Sequence, residues 1–211
     1  MSERVKPEER VGRLASAHDS GFSMIELLVV IAIIAVMLAV VLPSVLMQRK
    51  VAATDDASAQ AIDFLRGAYE RALTQRQVMR VRIDRAAGTI QLHDENGPGT
   101  SDDEMVRQES LFPQSEVAIN EPLGYPKPPS PFDFASAAFV DNAWEIRFRS
   151  DGVAMNATGA PQSATLYFYV PAAGSSAVAE NPLLLNAVTV FGPTASIRLW
   201  GYTPANGFVQ R

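Results

Sequence analysis

The sequence predicts an α+β chain, in which one long N-terminal hydrophobic helix packs on an antiparallel β head of one sheet or two. Three observations carry this. Leu27–Leu42 is sixteen residues without a polar side chain. Apolar residues then keep a helical period to about Gln77, and from Val78 the period switches to two in short segments divided by Gly, Pro and Asn turns. The 211 residues suit one domain of ordinary size plus appendages.

Extended back to Phe22, the apolar run is twenty-one residues whose one charge is Glu26. As helix it measures roughly 31 Å, enough to cross a bilayer core. A buried core helix rarely runs this long without a polar face. A cleaved secretory signal is usually shorter and ends at a small-residue cut site, whereas this run ends in Pro43-Ser44-Val45 and continues with helical character. Residues 1–21 carry Arg4, Lys6, Arg10 and Arg13 against Glu3, Glu8, Glu9 and Asp19, and Arg49 and Lys50 follow the run, so basic-residue asymmetry gives no orientation. A carboxylate at Glu26 costs on the order of 2–3 kcal/mol or more if it lies deep and unpaired. It either sits wet at headgroup level or has a partner.

From Ser44 to Gln77, Ala57, Ala61, Phe64, Leu65, Ala68 and Leu73 fall near one stripe, with Asp55, Asp56, Arg66, Glu70 and Arg71 mostly elsewhere. A continuous helix Phe22–Gln77 is expected, bent or loosened at Pro43, which lacks a backbone donor. Val78–Asp84 alternates, with Met79, Val81 and Ile83 on one face and Arg80 and Arg82 on the other. A turn at Arg85–Gly88 leads to Thr89–His93, giving a hairpin. An acidic loop, Asp94–Glu104, and a proline-rich connector, Glu121–Pro131, precede the strands Trp144–Arg149, Ala164–Val170, Asn186–Phe191 and Ala195–Trp200. Residues 78–211 therefore form the head. Tyr167, Phe168 and Tyr169 read as strand core and edge.

The composition excludes several functions. With no Cys there is no disulfide framework, thiolate metal site or cysteine nucleophile. Two histidines, His18 and His93, are too few for a histidine metal centre. No Ser/His/Asp constellation, Gly-rich phosphate loop or metal-ligand spacing is present, so no catalytic residue, metal or cofactor is expected. Asp94, Glu95, Asp102, Asp103 and Glu104 could hold Ca²⁺ by carboxylate oxygens, but they lack the alternate-position order of an EF-hand and read better as a solvated loop. Arg71, Arg76, Arg80, Arg82 and Arg85 could meet DNA phosphates. Arg76 equally suits a helix C-terminus, and Arg80 and Arg82 a solvent face. With a net charge of −5, nucleic acid is not an expected partner. Asn156-Ala157-Thr158 has the form of a glycosylation sequon.

Gly21-Phe22-Ser23-Met24-Ile25-Glu26, followed by the pure apolar run, resembles the processing site of type IV prepilins and type II secretion pseudopilins. The resemblance implies cleavage by prepilin peptidase between Gly21 and Phe22 on the cytoplasmic side, then N-methylation of Phe22. It implies that Glu26, fifth in the mature chain, neutralises the Phe22 amine of a neighbour or its own, and that Pro43 is the helix kink. The implied domains are a cytoplasmic leader 1–21, a transmembrane and assembly half 22–43, an amphipathic half 44–77 and the head 78–211. The partners are the peptidase, other pseudopilins or pilins in a filament, and an inner-membrane assembly platform. The place is the bacterial inner membrane, crossed once, with the head in the periplasm or extracytoplasmic space. The order of helix, hairpin, loop and a strand ending in Phe148-Arg149-Ser150-Asp151-Gly152, with a late pair around Gly192-Pro193-Thr194, resembles the GspH/FimT group. A type II secretion pseudopilin is the leading expectation, ahead of a minor pilin of pilus assembly or DNA uptake. A membrane-tethered enzyme or binding domain is the remote one.

Overall fold

A computed structural model describes residues 23–95, 103–111 and 117–211. The chain divides into two compact units, Met1–Pro43 and Ser44–Arg211, and helix α1, Met24–Gln75, contributes to both. In the first unit no residue of the apolar run of α1 is buried. In the second, α1 is the spine of an antiparallel β head, the α+β arrangement expected. The helix stops two residues before the expected Gln77. Arg76 takes the left-handed conformation (φ 56°) that closes a helix and turns the chain into β1, Val78–Asp84.

β1 lies inside a five-stranded sheet with β2 (Thr89–Glu95), β3 (Asp103–Ser110), β4 (Ala143–Phe148) and β5 (Ala154–Met155), in the order β3-β2-β1-β4-β5. A second sheet joins β6 (Ala164–Phe168), β9 (Asn186–Phe191), β10 (Ser196–Thr203) and β11 (Gly207–Gln210) in the order β11-β10-β9-β6. Between β6 and β9, β7 (Pro171–Ala172) and β8 (Ser175–Ala179) form a small hairpin. The sequence did not announce β3. It also placed Asp94, Glu95, Asp103 and Glu104 in a loop, but all four are strand residues: Asp94 pairs with Glu104, and Glu95 with Asp103.

The main core fills the space between α1 and both sheets. Ala57, Ala61, Phe64, Leu65, Ala68 and Ala72 are buried against Met79, Val81 and Ile83 of β1 and Trp144, Ile146 and Phe148 of β4. Leu166, Phe168, Val188 and Val190 close it from the second sheet. Leu73, expected on this stripe, is 39% exposed and Ala72 takes its place. Four residues beyond Ala68 is about 40° off the stripe axis, whereas five is about 140°.

A polar pin crosses the apolar helix–sheet contact. Asn186 Nδ2 donates to Asp55 Oδ1 at 2.7 Å and to Ser58 Oγ at 3.1 Å, and Arg211 Nη1 donates to the same Asp55 oxygen at 2.8 Å.

The two sheets differ in what covers their outer faces. β1 and β4 alternate buried and half-buried residues, but all of β6 and nearly all of β9 are buried. The proline-rich connector leads into this cover. Phe132 lies 5.6 Å from Trp200, Phe134 stacks on Phe191, and Tyr125 meets Tyr202 edge-on at 5.2 Å. Prolines cannot donate to a ladder, so the cover forms no strand of its own. It holds by these ring contacts and by an isolated bridge to β6, where Ala137 N–H donates to Thr165 O at 2.8 Å and Thr165 N–H to Ala135 O at 3.0 Å. Beneath it, burial pushes the Tyr167 and Tyr169 phenols up to about 12. The carboxylate of Glu121 adds to the effect at Tyr167, and a hydrogen bond with Asn120 opposes it at Tyr169.

A phenol pKa raised by folding means the folded chain keeps a proton that the unfolded chain loses. Stability therefore falls as pH rises from about 10 to about 12. In an alkaline absorbance titration, two of the five tyrosines should ionise only together with unfolding. Reversible ionisation of all five with the far-ultraviolet spectrum intact would contradict this burial.

Two motif glycines have steric reasons. Gly152 turns at φ 85° against the Tyr69 hydroxyl. A Cβ on Gly192 would lie 2.6 Å from the backbone of Gln162, so no side chain fits there. The turn Gly192–Thr194 ends on Ala195, itself left-handed at φ 46°.

Candidate functional site

The first described residue, Ser23, caps α1. Its hydroxyl accepts from the Glu26 backbone N–H at 3.2 Å, and its carbonyl accepts from Leu27 N–H at 3.2 Å. Ser-x-x-Glu is the spacing of a capping box, a signal that the sequence carried and that was not read there. It puts Glu26 in the first turn, where the positive end of the helix dipole favours a carboxylate. Gly21 and Phe22, the expected cleavage and methylation pair, lie outside the described residues.

Beyond Glu26 the helix presents apolar surface on every side. The large apolar side chains of α1 from Met24 to Leu42 are 46–91% exposed. Twelve Leu, Ile and Val residues in Leu27–Leu42 favour bilayer insertion by about 4–7 kcal/mol in total. That exceeds the roughly 2–3 kcal/mol a charged Glu26 opposes, and Glu26 lies at the end of the run, where the cost is least. Pro43 sits inside α1 and leaves the carbonyl of Ala39 without its helical donor.

The other candidates do not assemble into a site. Arg147 Nε lies 2.8 Å from Glu95, Arg80 Nε 3.3 Å from Glu95, and Arg82 Nη1 3.2 Å from Glu145. The expected solvent-facing basic stretch is thus part of a charge network on the first sheet, with Arg80, Arg147 and Glu95 largely covered. Arg85 donates to Asn142 Oδ1 at 2.9 Å and lies over the Phe139 ring, while Arg76 closes the helix. Arg71 stays exposed on α1.

Of the acidic candidates, Glu95 is engaged by arginines. Burial and then the facing Glu104 raise the Asp94 carboxyl above the usual carboxylate range. Asp102 lies outside the described residues. No group of three or more His, Asp or Glu able to hold a metal occurs among the described residues. Asn156 Oδ1 accepts from Thr158 N–H, Thr158 Oγ and Ala160 N–H, so this side chain holds a turn.

Residues 16–42 match the family model of the prokaryotic N-terminal methylation motif. No curated protein and no solved structure matches the chain. The matched segment covers the apolar run and the residues before it, and supports a type IV pilin-like protein. The motif points to a structural subunit of the pilin or pseudopilin type. In general terms it implies processing by prepilin peptidase and filament assembly with other pilins. The exposed apolar helix agrees with a membrane-anchored, single-pass pilin.

Proposed function

We propose that this chain is a pseudopilin, a non-enzymatic subunit of a type II secretion pseudopilus used in protein export. One observation carries the reading: the part of α1 before Pro43 is apolar on all sides, with a single carboxylate, Glu26, in its first turn, shortly after Gly21-Phe22 in the sequence. Such a helix needs an apolar surrounding. A bilayer supplies it before assembly and a bundle of like helices supplies it afterwards. Cleavage between Gly21 and Phe22 frees an α-amine that is mostly protonated at neutral pH. Pairing with Glu26 of a neighbour removes the burial penalty of both charges and fixes the axial register of subunits. Removal of residues 1–21 leaves 14 basic and 19 acidic residues. The head faces the periplasm, and an inner-membrane platform moves the subunit from lipid to filament.

A minor type IV pilin would share this N-terminus. The acidic balance and the engagement of Arg80 and Arg82 by glutamates favour secretion over DNA uptake. Deleting the gene should abolish protein export while leaving pili and DNA uptake intact; the opposite outcome assigns the chain to the minor pilins. Gly21→Val should leave the chain uncut, seen as a band longer by the 21-residue leader, because a β-branched side chain blocks close approach of the peptidase. Normal cutting of that variant would move the processing site elsewhere.

A further inference from the structure

Between Glu26 and Arg49 the sequence has twenty-two residues without a charge, about 33 Å as helix and close to the thickness of a bilayer core. The first charges after it, Arg49 and Lys50, edge a groove of about 390 Å³ in the head unit. Leu46, Val170 and Pro171 supply its apolar wall, and Glu180 stands opposite the cations. Lys50 Nζ lies 2.6 Å from both carboxylate oxygens of Glu180, with the two side chains 39% and 40% exposed. Arg49 is exposed and has no ion-pair partner among the described residues.

We propose that this groove binds the headgroup of a membrane phospholipid, specifically a zwitterionic one of the phosphatidylethanolamine type. The assignment rests on the reading of α1 as a membrane span. A phosphate suits Arg49 and Lys50, the guanidinium offering two parallel donors. A primary ammonium suits Glu180, and the glycerol and first acyl carbons suit Leu46, Val170 and Pro171. A half-exposed ion pair is worth only about 0–1 kcal/mol, so Lys50 and Glu180 can exchange each other for phosphate and ammonium with both charges still balanced. A purely anionic headgroup would leave Glu180 facing phosphate. The volume lies within the range of small-ligand sites. The site would anchor the start of the head at the membrane surface until the subunit leaves the bilayer.

The test uses the full chain in nanodiscs holding phosphatidylethanolamine, phosphatidylglycerol or phosphatidylcholine, with native mass spectrometry counting lipids retained after release. Wild type should retain one phosphatidylethanolamine. Arg49→Gln/Lys50→Gln should lower that retention about tenfold or more, since a charge-assisted hydrogen bond contributes at least that factor. Arg49→Gln alone breaks no ion pair of the head and should show a partial loss. Glu180→Gln should lower phosphatidylethanolamine retention and leave phosphatidylglycerol unchanged. Equal retention by the double variant and wild type, or a wild-type preference for phosphatidylglycerol, overturns the assignment. Carbonate extraction separates the two readings. A chain that resists extraction but retains lipid equally in both forms defeats the site alone. A wild-type chain that is extracted defeats the span, and the site with it.

Discussion

Glu26→Ala is expected to be cut and inserted as wild type yet to enter filaments at least about 30-fold less. Truncating one partner of a buried, hydrogen-bonded charge pair costs about 2–5 kcal/mol, and the lower end already gives this factor. The measurement is the ratio of sheared filament to membrane-retained subunit. Glu26 lies in the first helical turn, where the helix dipole stabilises it, and with that end of the helix at headgroup level its removal should change little before assembly. On the proposed pairing, headgroup water is lost in a helix bundle and the variant would leave the Phe22 amine without its counter-charge. Ser23→Ala separates this from a helix-end effect. It removes the cap, worth about 1 kcal/mol, and should leave incorporation near normal. Normal incorporation of Glu26→Ala would sink the pairing role.

Phe168→Ala should destabilise the head by about 3–5 kcal/mol, a large share of the roughly 5–15 kcal/mol that holds a domain. Phe168 is wholly buried in the main core, on β6, whose residues are all buried. No face of this strand can relax toward solvent, so the lost ring leaves a cavity. The urea midpoint of the full chain in detergent should fall, with its slope unchanged. A shift under about 1 kcal/mol would mean that the two sheets close over the gap.

Legibility followed the range of the physics. Val78–Asp84 and Asn186–Phe191 were readable to the residue because apolar alternation or β-branched runs end at turn residues. Gly21, Phe22 and Glu26 were readable as candidates because their meaning lies in fixed offsets along one segment. β3 was not, since Asp-Glu-Met-Val-Arg-Gln-Glu-Ser is an edge strand whose charges keep it from pairing further. Leu73 misled because a stripe read loosely tolerates a one-residue error that 100° per residue does not. The cover of Phe132 and Phe134 on the second sheet, and the Lys50–Glu180 edge of the groove across 130 residues of sequence, are long-range contacts with no local signature.

The pin at Asp55 has a mechanical consequence. A subunit driven along its helix axis delivers load to the head as shear across the contact between α1 and the second sheet. Apolar side chains alone would resist weakly, since a slip of one turn, about 5.4 Å, offers them a similar groove. Asn186 and Arg211 converge on the Asp55 carboxylate, and Asn186 also donates to Ser58 one turn along α1, so the same slip breaks these three bonds together. The head should therefore yield abruptly, at a threshold force, and transmit thrust below it without creep.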